Sequence, residues 1–257
     1  MTGGPAGRGA KAAASYAVVI PARLGSTRLP EKPLLRESGK YLIQHVVERA
    51  QEAPGVSRVI VATDDARVEA AVRSFGGEAM RTRPDHPSGT DRCAEVAARL
   101  TVDAVVNVQG DEPLFEPKDL PPLVAAALRT DVDMATLSHP ISDPRAAASP
   151  SVVKVVVRTD GLALYFSRAP IPFDRAAGTA SRTALAHVGI YAFCRVRLGD
   201  YVALPAGTLA AAESLEQLRA LEAGWRIVVL PATNPAFGID TPEDYRRFVE
   251  RTRQAPR

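Results

Sequence analysis

The regular alternation of short apolar runs with amphipathic stretches constrains this chain more than any other feature. Runs of strand length occur at Ala17–Ile20, Arg58–Ala62, Ala104–Val108 and Met134–Leu137. Between the early ones, Leu42, Ile43, Val46, Val47 and Ala50 share one helical face. Asp65–Phe75 repeats that pattern and stops at Gly76–Gly77, a glycine helix terminator. The same reasoning predicts helices over Thr90–Leu100, Leu120–Leu128, Leu198–Ala203 and Ser214–Ala223. A last helix begins at Thr241, with Pro242 in its first position and Asp244 closing a capping box. Successive βαβ units require a parallel sheet covered on both faces. The middle third differs. Val152–Val157, Ala163–Phe166 and Val188–Phe193 are strand runs with little helix between them, which predicts a small antiparallel addition over about 150–225. A final run lies at Ile227–Leu230. There is no internal repeat, and Ser142–Ser151 is the nearest approach to a linker. A single α/β domain over 16–253 is expected.

Composition removes several functions. The chain has 32 Lys and Arg against 29 Asp and Glu, a net charge of +3, too small to argue for nucleic acid or a membrane surface. Cys93 and Cys194 form no C-x-x-C and have no companion histidine cluster. That excludes disulfide staples and a structural zinc site and fits a reducing cytoplasm. No apolar run approaches the roughly 20 residues of a membrane helix. Residues 1–15 lack an apolar core of the signal-peptide kind, so a flexible N-terminal extension on a cytoplasmic protein is expected.

In an open α/β sheet, ligands bind beyond the carboxyl ends of the strands, and the unusual residues fall there. The segment Val18–Leu34 leaves the first strand through a small-residue loop bearing Arg23, Arg28 and Lys32. Close backbone approach and clustered cations suit a polyphosphate, although a solvated basic loop would look the same. Neither G-x-x-x-x-G-K-[ST] nor G-x-G-x-x-G is present, so a P-loop and a dinucleotide fingerprint are both excluded. After Ala104–Val108 comes Gln109-Gly110-Asp111-Glu112-Pro113, and near the C-terminus Gly238-Ile239-Asp240. A carboxylate at a strand end suits Mg²⁺, which binds few carboxylates and leaves room for phosphates. A turn at Asp111 and a favourable helix-dipole position at Asp240 are the structural alternatives.

Nine segments in order carry a family resemblance. They are IPARLGSTRLPEKPL at 20–34, VATDD at 61–65, SGTDR at 88–92, VNVQGDEP at 106–113, VVKVV at 152–156, ALYFSRAPIP at 163–172, HVGIY at 187–191, ESLEQLR at 213–219 and GIDTPED at 238–244. From Tyr16 to Arg253 the chain resembles the 3-deoxy-D-manno-octulosonate (Kdo) cytidylyltransferases. The resemblance implies a Rossmann-like, GT-A-like nucleotidyltransferase, a three-layer sandwich with a mostly parallel central sheet. It also implies a homodimer, with the Val188–Phe193 region and the helix at Ser214 as the contact. The reaction implied is Mg²⁺-assisted attack of the sugar's anomeric hydroxyl on the α-phosphate of CTP, giving CMP-Kdo and diphosphate.

By the same resemblance Arg23, Arg28 and Lys32 hold the triphosphate, with Lys32 stabilising charge on the α-phosphate and leaving group. Asp111 and Asp240 match the metal ligands and, with Arg28 and Lys32, form the catalytic set. Ser88, Gly89, Thr90 and Arg92 help hold the nucleotide, though Ser or Thr there is equally a helix cap. The acidic sugar falls to Gln109, Arg168, His187, Tyr191, Glu216 and Gln217, with Arg168 offering bidentate geometry to its carboxylate. His45, His86 and His139 are left structural. The chain departs from the family at Ala192–Phe193 and at Leu209–Ala212, both on the sugar side. An amino-substituted octulosonate or an acylneuraminate is therefore an alternative substrate, and a non-catalytic nucleotide-binding module an alternative class.

Overall fold

A computed structural model describes residues 14–25 and 28–254; residues 1–13, most of the expected N-terminal extension, lie outside the described residues. Ser15 is not free: its N–H and hydroxyl both donate to Asp103 at 2.8 Å. The strands are β1 (Tyr16–Ala22), β2 (Val56–Thr63), β3 (Glu78–Arg81), β4 (Ala104–Val108), β5 (Met134–Pro140), β6 (Lys154–Val157), β7 (Ala163–Ser167), β8 (Phe173–Asp174), β9 (Thr179–Ala180), β10 (Leu185–Cys194) and β11 (Ile227–Pro231). The helices are α1 (Leu42–Gln51), α2 (Ala66–Ser74), α3 (Gly89–Ala97), α4 (Leu120–Ala127), α5 (Pro144–Ala148), α6 (Arg195–Val202), α7 (Thr208–Glu213), α8 (Leu218–Glu222) and α9 (Pro242–Gln254).

The main sheet runs β11-β5-β10-β4-β1-β2-β3, with β6 and β7 branching from β10. Pairing is parallel from β4 through β3 and between β11 and β5. Both faces are covered. Val18 and Ile20 of β1 pack with Ile43, Val46 and Val47 of α1, Val68 and Val72 of α2, and Leu120 and Leu123 of α4. Ala17 and Val19 face the other way, onto Cys93 and Val96 of α3, Leu198 and Tyr201 of α6, and Leu218 of α8. The result is the expected three-layer α/β sandwich.

Differences from the expected elements have local causes. β10 is not confined to a peripheral addition. It lies antiparallel between β4 and β5, because Val188, Ile190 and Ala192 supply one face of the core and Phe193 the other. Phe193 is fully buried, so the Val188–Phe193 region cannot be a dimer contact. The helix expected over Ser214–Ala223 starts late: Ser214 turns left-handed at φ 51° to end the unexpected α7, and α8 begins only at Leu218. Ser142–Ser151 is not a linker, since Asp143 caps α5 by accepting from the Arg145 N–H. β3 escaped notice because Glu78–Arg81 is a short, partly exposed edge strand.

α9 returns the C-terminus to the basic loop. Its capping box is formed, Thr241 N–H donating to Asp244 at 2.9 Å and Asp244 N–H to the Thr241 hydroxyl at 3.2 Å. Tyr245, Phe248 and Val249 then pack on Leu29, Leu42 and Ile239. This cluster joins the segments that carry Arg28, Lys32 and Asp240. Phe248 is fully buried, so Phe248→Ala is expected to lower unfolding free energy by ~3 kcal/mol or more. Urea titration measures this, and a loss below ~1 kcal/mol would show that α9 does not anchor the loop.

Candidate active site

A cleft of about 330 Å³ opens at the carboxyl ends of β1 and β4. Arg23, Arg28, Lys32, Ser88, Gly89, Arg92, Gln109, Asp111 and Asp240 all line it. Its centre is an ion cluster. Lys32 Nζ lies 2.6 Å from Asp111 Oδ2 and 3.2 Å from Asp240 Oδ1, and Arg28 Nη2 lies 3.1 Å from Asp240 Oδ2. Lys32 is presented by a 3-10 turn, Lys32–Leu34, entered through Glu31 in the left-handed region at φ 53°. A non-glycine residue rarely adopts that conformation, and the Arg67–Glu31 ion pair at 2.5 Å helps hold it.

Two loops converge to bring the aspartates together. Ile239 N–H donates to the Asp111 carbonyl at 3.0 Å, and Phe237 N–H donates to Glu112 Oε2 at 3.1 Å. Glu112 is buried between them. Burial, with the charge of Asp111 adding to it, pushes its carboxyl up to about 8. Gly110 lets this loop cross β1 closely, since a Cβ there would lie 3.0 Å from the Pro21 carbonyl oxygen.

The N-terminus of α3 forms another wall. Ser88 is its cap, accepting from the Asp91 N–H at 3.2 Å, so the capping role is realised on a residue that also lines the cleft. Arg92 is nearly buried, its Nη1 bonded to Thr82 and Arg83 O and 3.2 Å from Asp64 Oδ1. Thr90 does not line the cleft. Its hydroxyl instead accepts from Asn107 Nδ2 and donates to Glu216 Oε1, both at 2.8 Å.

His187, Tyr191, Glu216 and Gln217 gather beside the cleft rather than within it. Four residues of extended strand span about 13 Å, yet the His187 and Tyr191 ring centroids are 5.5 Å apart. A register shift in β10 between Val188 and Tyr191 explains this, the Thr136 hydroxyl filling the irregularity with bonds near Val188 O and Ile190 O. His187 Nε2 lies 2.9 Å from that same hydroxyl, and Tyr191 donates to Gln217 Oε1 at 3.2 Å. Gln217 Nε2 and Glu216 Oε2 are buried without a protein hydrogen-bond partner. Burial raises the Glu216 and Tyr191 pKa values and lowers that of His187 to about 3.

Arg168 stands apart. Its Nε, Nη1 and Nη2 donate to the carbonyls of Glu213, Pro150 and Ser214, and it does not line the cleft. Sequence reasoning passed over Asn107 and Glu112. The signal for Asn107 was a lone amide inside the otherwise apolar run Ala104–Val108. His86, left structural from sequence, does line the cleft, with Nε2 2.6 Å from Glu95. Of the departures from the family pattern, Ala192 and Phe193 are core, and Leu209–Ala212 lie on α7 among largely exposed residues.

A cation-lined cleft at strand ends, with two carboxylates converging on one positive charge, suits a polyphosphate and a metal ion. The cytidylyltransferase family matches residues 17–227. A 3-deoxy-manno-octulosonate cytidylyltransferase of Anaeromyxobacter sp. (strain Fw109-5) is 54% identical over 90% of this chain and 94% of its own length. One from Escherichia coli is 52% identical over 88% and 91%. A solved structure of CMP:2-keto-3-deoxy-manno-octonic acid synthetase complexed with CTP superposes with a TM-score of 0.87 at 48% identity, covering 93% of this chain and 99% of that one. A cytidylyltransferase from Leptospira borgpetersenii, at 17% identity and a TM-score of 0.62, shares the fold. The chain belongs to the cytidylyltransferase family, in its 3-deoxy-manno-octulosonate branch.

The His187 shift gives a stability test. The unfolded chain protonates this ring near 6.5, whereas the folded protein resists to about 3. Below pH 6.5 the unfolded state binds more protons, so the group removes stability as pH falls, at up to ~1.4 kcal/mol per pH unit. Between pH 7.5 and 5.0 the wild type is expected to lose about 2 kcal/mol more than His187→Gln in urea titrations. Parallel losses would overturn the lowered pKa of this ring.

Proposed function

We propose that this chain transfers CMP from CTP to the anomeric hydroxyl of 3-deoxy-D-manno-octulosonate, releasing diphosphate and yielding CMP-Kdo, an activated sugar for lipopolysaccharide assembly. The observation that carries the reading is the convergence of Asp111 and Asp240 on Lys32 inside the cation-lined cleft. Among the described residues no three His, Cys, Asp or Glu side chains group to enclose a metal. Two carboxylates that already meet at one cation fit Mg²⁺, which keeps ligand positions for water and phosphate. Asp111 and Asp240 would hold the ion, which when bound supplies charge neutralisation to the phosphates.

The protein's own groups supply positioning and fixed charge, which phosphoryl-type transfer needs more than covalent chemistry. Arg23 and Arg28 bind the triphosphate, and Lys32 moves from the carboxylates to the α-phosphate and the leaving diphosphate. Ser88 and Gly89 offer the α3 N-terminus to anionic oxygen, and Arg92 contributes charge from the wall. Gln109, His187, Tyr191, Glu216 and Gln217 orient the sugar hydroxyls. Arg168 has N–H groups beyond the three it donates to carbonyls, and these take the sugar carboxylate. Among the described residues no helix is long and apolar enough to cross a membrane, and both cysteines are unpaired, which suits a cytoplasmic enzyme. The active form is a homodimer joined through the addition bearing Leu164 and Phe173, large apolar residues left 57% and 61% exposed.

Purified protein given CTP, Mg²⁺ and a panel of sugar acids is expected to release diphosphate with 3-deoxy-D-manno-octulosonate. Release with none of the acids would refute the reading, and release only with an acylneuraminate would change the substrate. Asp111→Ala and Asp240→Ala should each cut turnover by ~100-fold or more while metal-free CTP binding stays close to wild type. Unchanged turnover in both would refute their assignment to the metal. Light scattering should give twice the chain mass for the wild type and a monomer for Phe173→Glu; a wild-type monomer would exclude the dimer.

A further inference from the structure

We propose that Asn107, acting through the Thr90 hydroxyl, is a positioning residue that fixes Glu216 for the sugar acid. The inference rests on the preceding reading of Glu216 and Gln109 as sugar contacts. Asn107 is wholly buried at the fourth position of β4, where every neighbour along the strand is apolar. A buried amide at such a place is costly unless its hydrogen bonds are made, and both of its ends are engaged. Gln109 Nε2 donates to Asn107 Oδ1 at 3.2 Å, and Asn107 Nδ2 donates to Thr90 Oγ1 at 2.8 Å. Thr90, only 1% exposed, donates in turn to Glu216 Oε1.

The direction of this chain follows from its end. When Glu216 is ionised its oxygens only accept, so the Thr90 proton points at Glu216. Thr90 then presents a lone pair to Asn107, which must donate, and the carbonyl end of the Asn107 amide is turned to Gln109. Reversing any one amide would leave two acceptors facing each other. Thr90 is therefore a support for the sugar side rather than a ligand of the nucleotide, which agrees with its absence from the cleft lining. Glu216 keeps Oε2 free of protein partners, the acceptor that a sugar hydroxyl would find. At the other end Gln109 lines the cleft, so one line of bonds orients two of the proposed sugar contacts.

The test uses steady-state kinetics with CTP, Mg²⁺ and 3-deoxy-D-manno-octulosonate. Asn107→Asp conserves shape but sets an acceptor against Thr90, which turns its proton away from Glu216. The expected result is a rise of about tenfold in KM for the sugar acid, the scale of one lost buried hydrogen bond to a charge, with KM for CTP within about twofold. General damage to β4 would move both constants, because the loop carrying Asp111 follows directly from that strand. Thr90→Val, which lacks the hydroxyl, should reproduce the selective loss, and Thr90→Ser should recover most of it. This pair keeps the question open to refutation should Asn107→Asp fail to fold. Equal changes in both constants, or none, in an active protein would overturn the positioning role alone. A wild type that releases no diphosphate with any sugar acid would overturn the functional reading and this inference with it.

Discussion

Two aspartates share one lysine, and the rest of the site is arranged so that they can. Asp111 and Asp240 come from loops far apart in the chain, and like charges held that close repel strongly. Lys32 offsets the repulsion at 2.6 and 3.2 Å, and Arg28 adds a second cation on the solvent side. The geometry is then fixed by groups that are not themselves in the ion cluster. The Ile239 and Phe237 amides tie one loop to the other, and the α9 cluster presses Leu29 and Ile239 into a common apolar seat. Arg28 and Lys32 are therefore held in ion pairs, and the segment that carries them is anchored to α9 through Leu29.

The fold was legible in the sequence wherever burial is periodic. The α1 face, the strands β1, β2 and β4, and the Thr241 capping box were all readable, because each depends on side chains a few residues apart. What could not be read is set by contacts over long separations. Nothing local distinguishes β10 as an interior strand, since its place comes from pairing with both β4 and β5. The late start of α8 was hidden for a related reason: Leu215, Leu218 and Leu221 keep a helical spacing from Ser214 onward, but the backbone turns left-handed at Ser214.

The same distinction holds in the site. Arg23, Arg28, Lys32, Gln109, Asp111 and Asp240 sit in motifs at strand ends, and the topology brings them into one cleft. Thr90 also sits in such a motif, but a serine or threonine at a helix N-terminus can turn its hydroxyl either way, and only the packed neighbours Asn107 and Glu216 decide. Asn107 itself was visible as an oddity without a stated job. At Arg168 residue type suggests a carboxylate fork, and the fold engages three of its N–H groups on carbonyls that no local pattern reveals.

The two halves of the site work by different physics, and the substrates explain why. A triphosphate carries charge that must be neutralised while it is being redistributed, so its side of the cleft is built from cations and carboxylates that stay partly hydrated. Lys32 has a side chain 14% exposed, and Asp240 47%. Such a site can exchange partners quickly, and Lys32 can leave the aspartates without leaving the cleft. A sugar acid presents several hydroxyls that differ only in direction, which charge alone cannot distinguish. The side proposed for it is accordingly rich in directed bonds, with the His187 pKa lowered by burial and Tyr191 tied to Gln217. Discrimination there depends on donors and acceptors that cannot rotate. Rigid direction in a buried place requires that every supporting bond be made, and this is the physical reason an asparagine stands in the middle of an otherwise apolar strand.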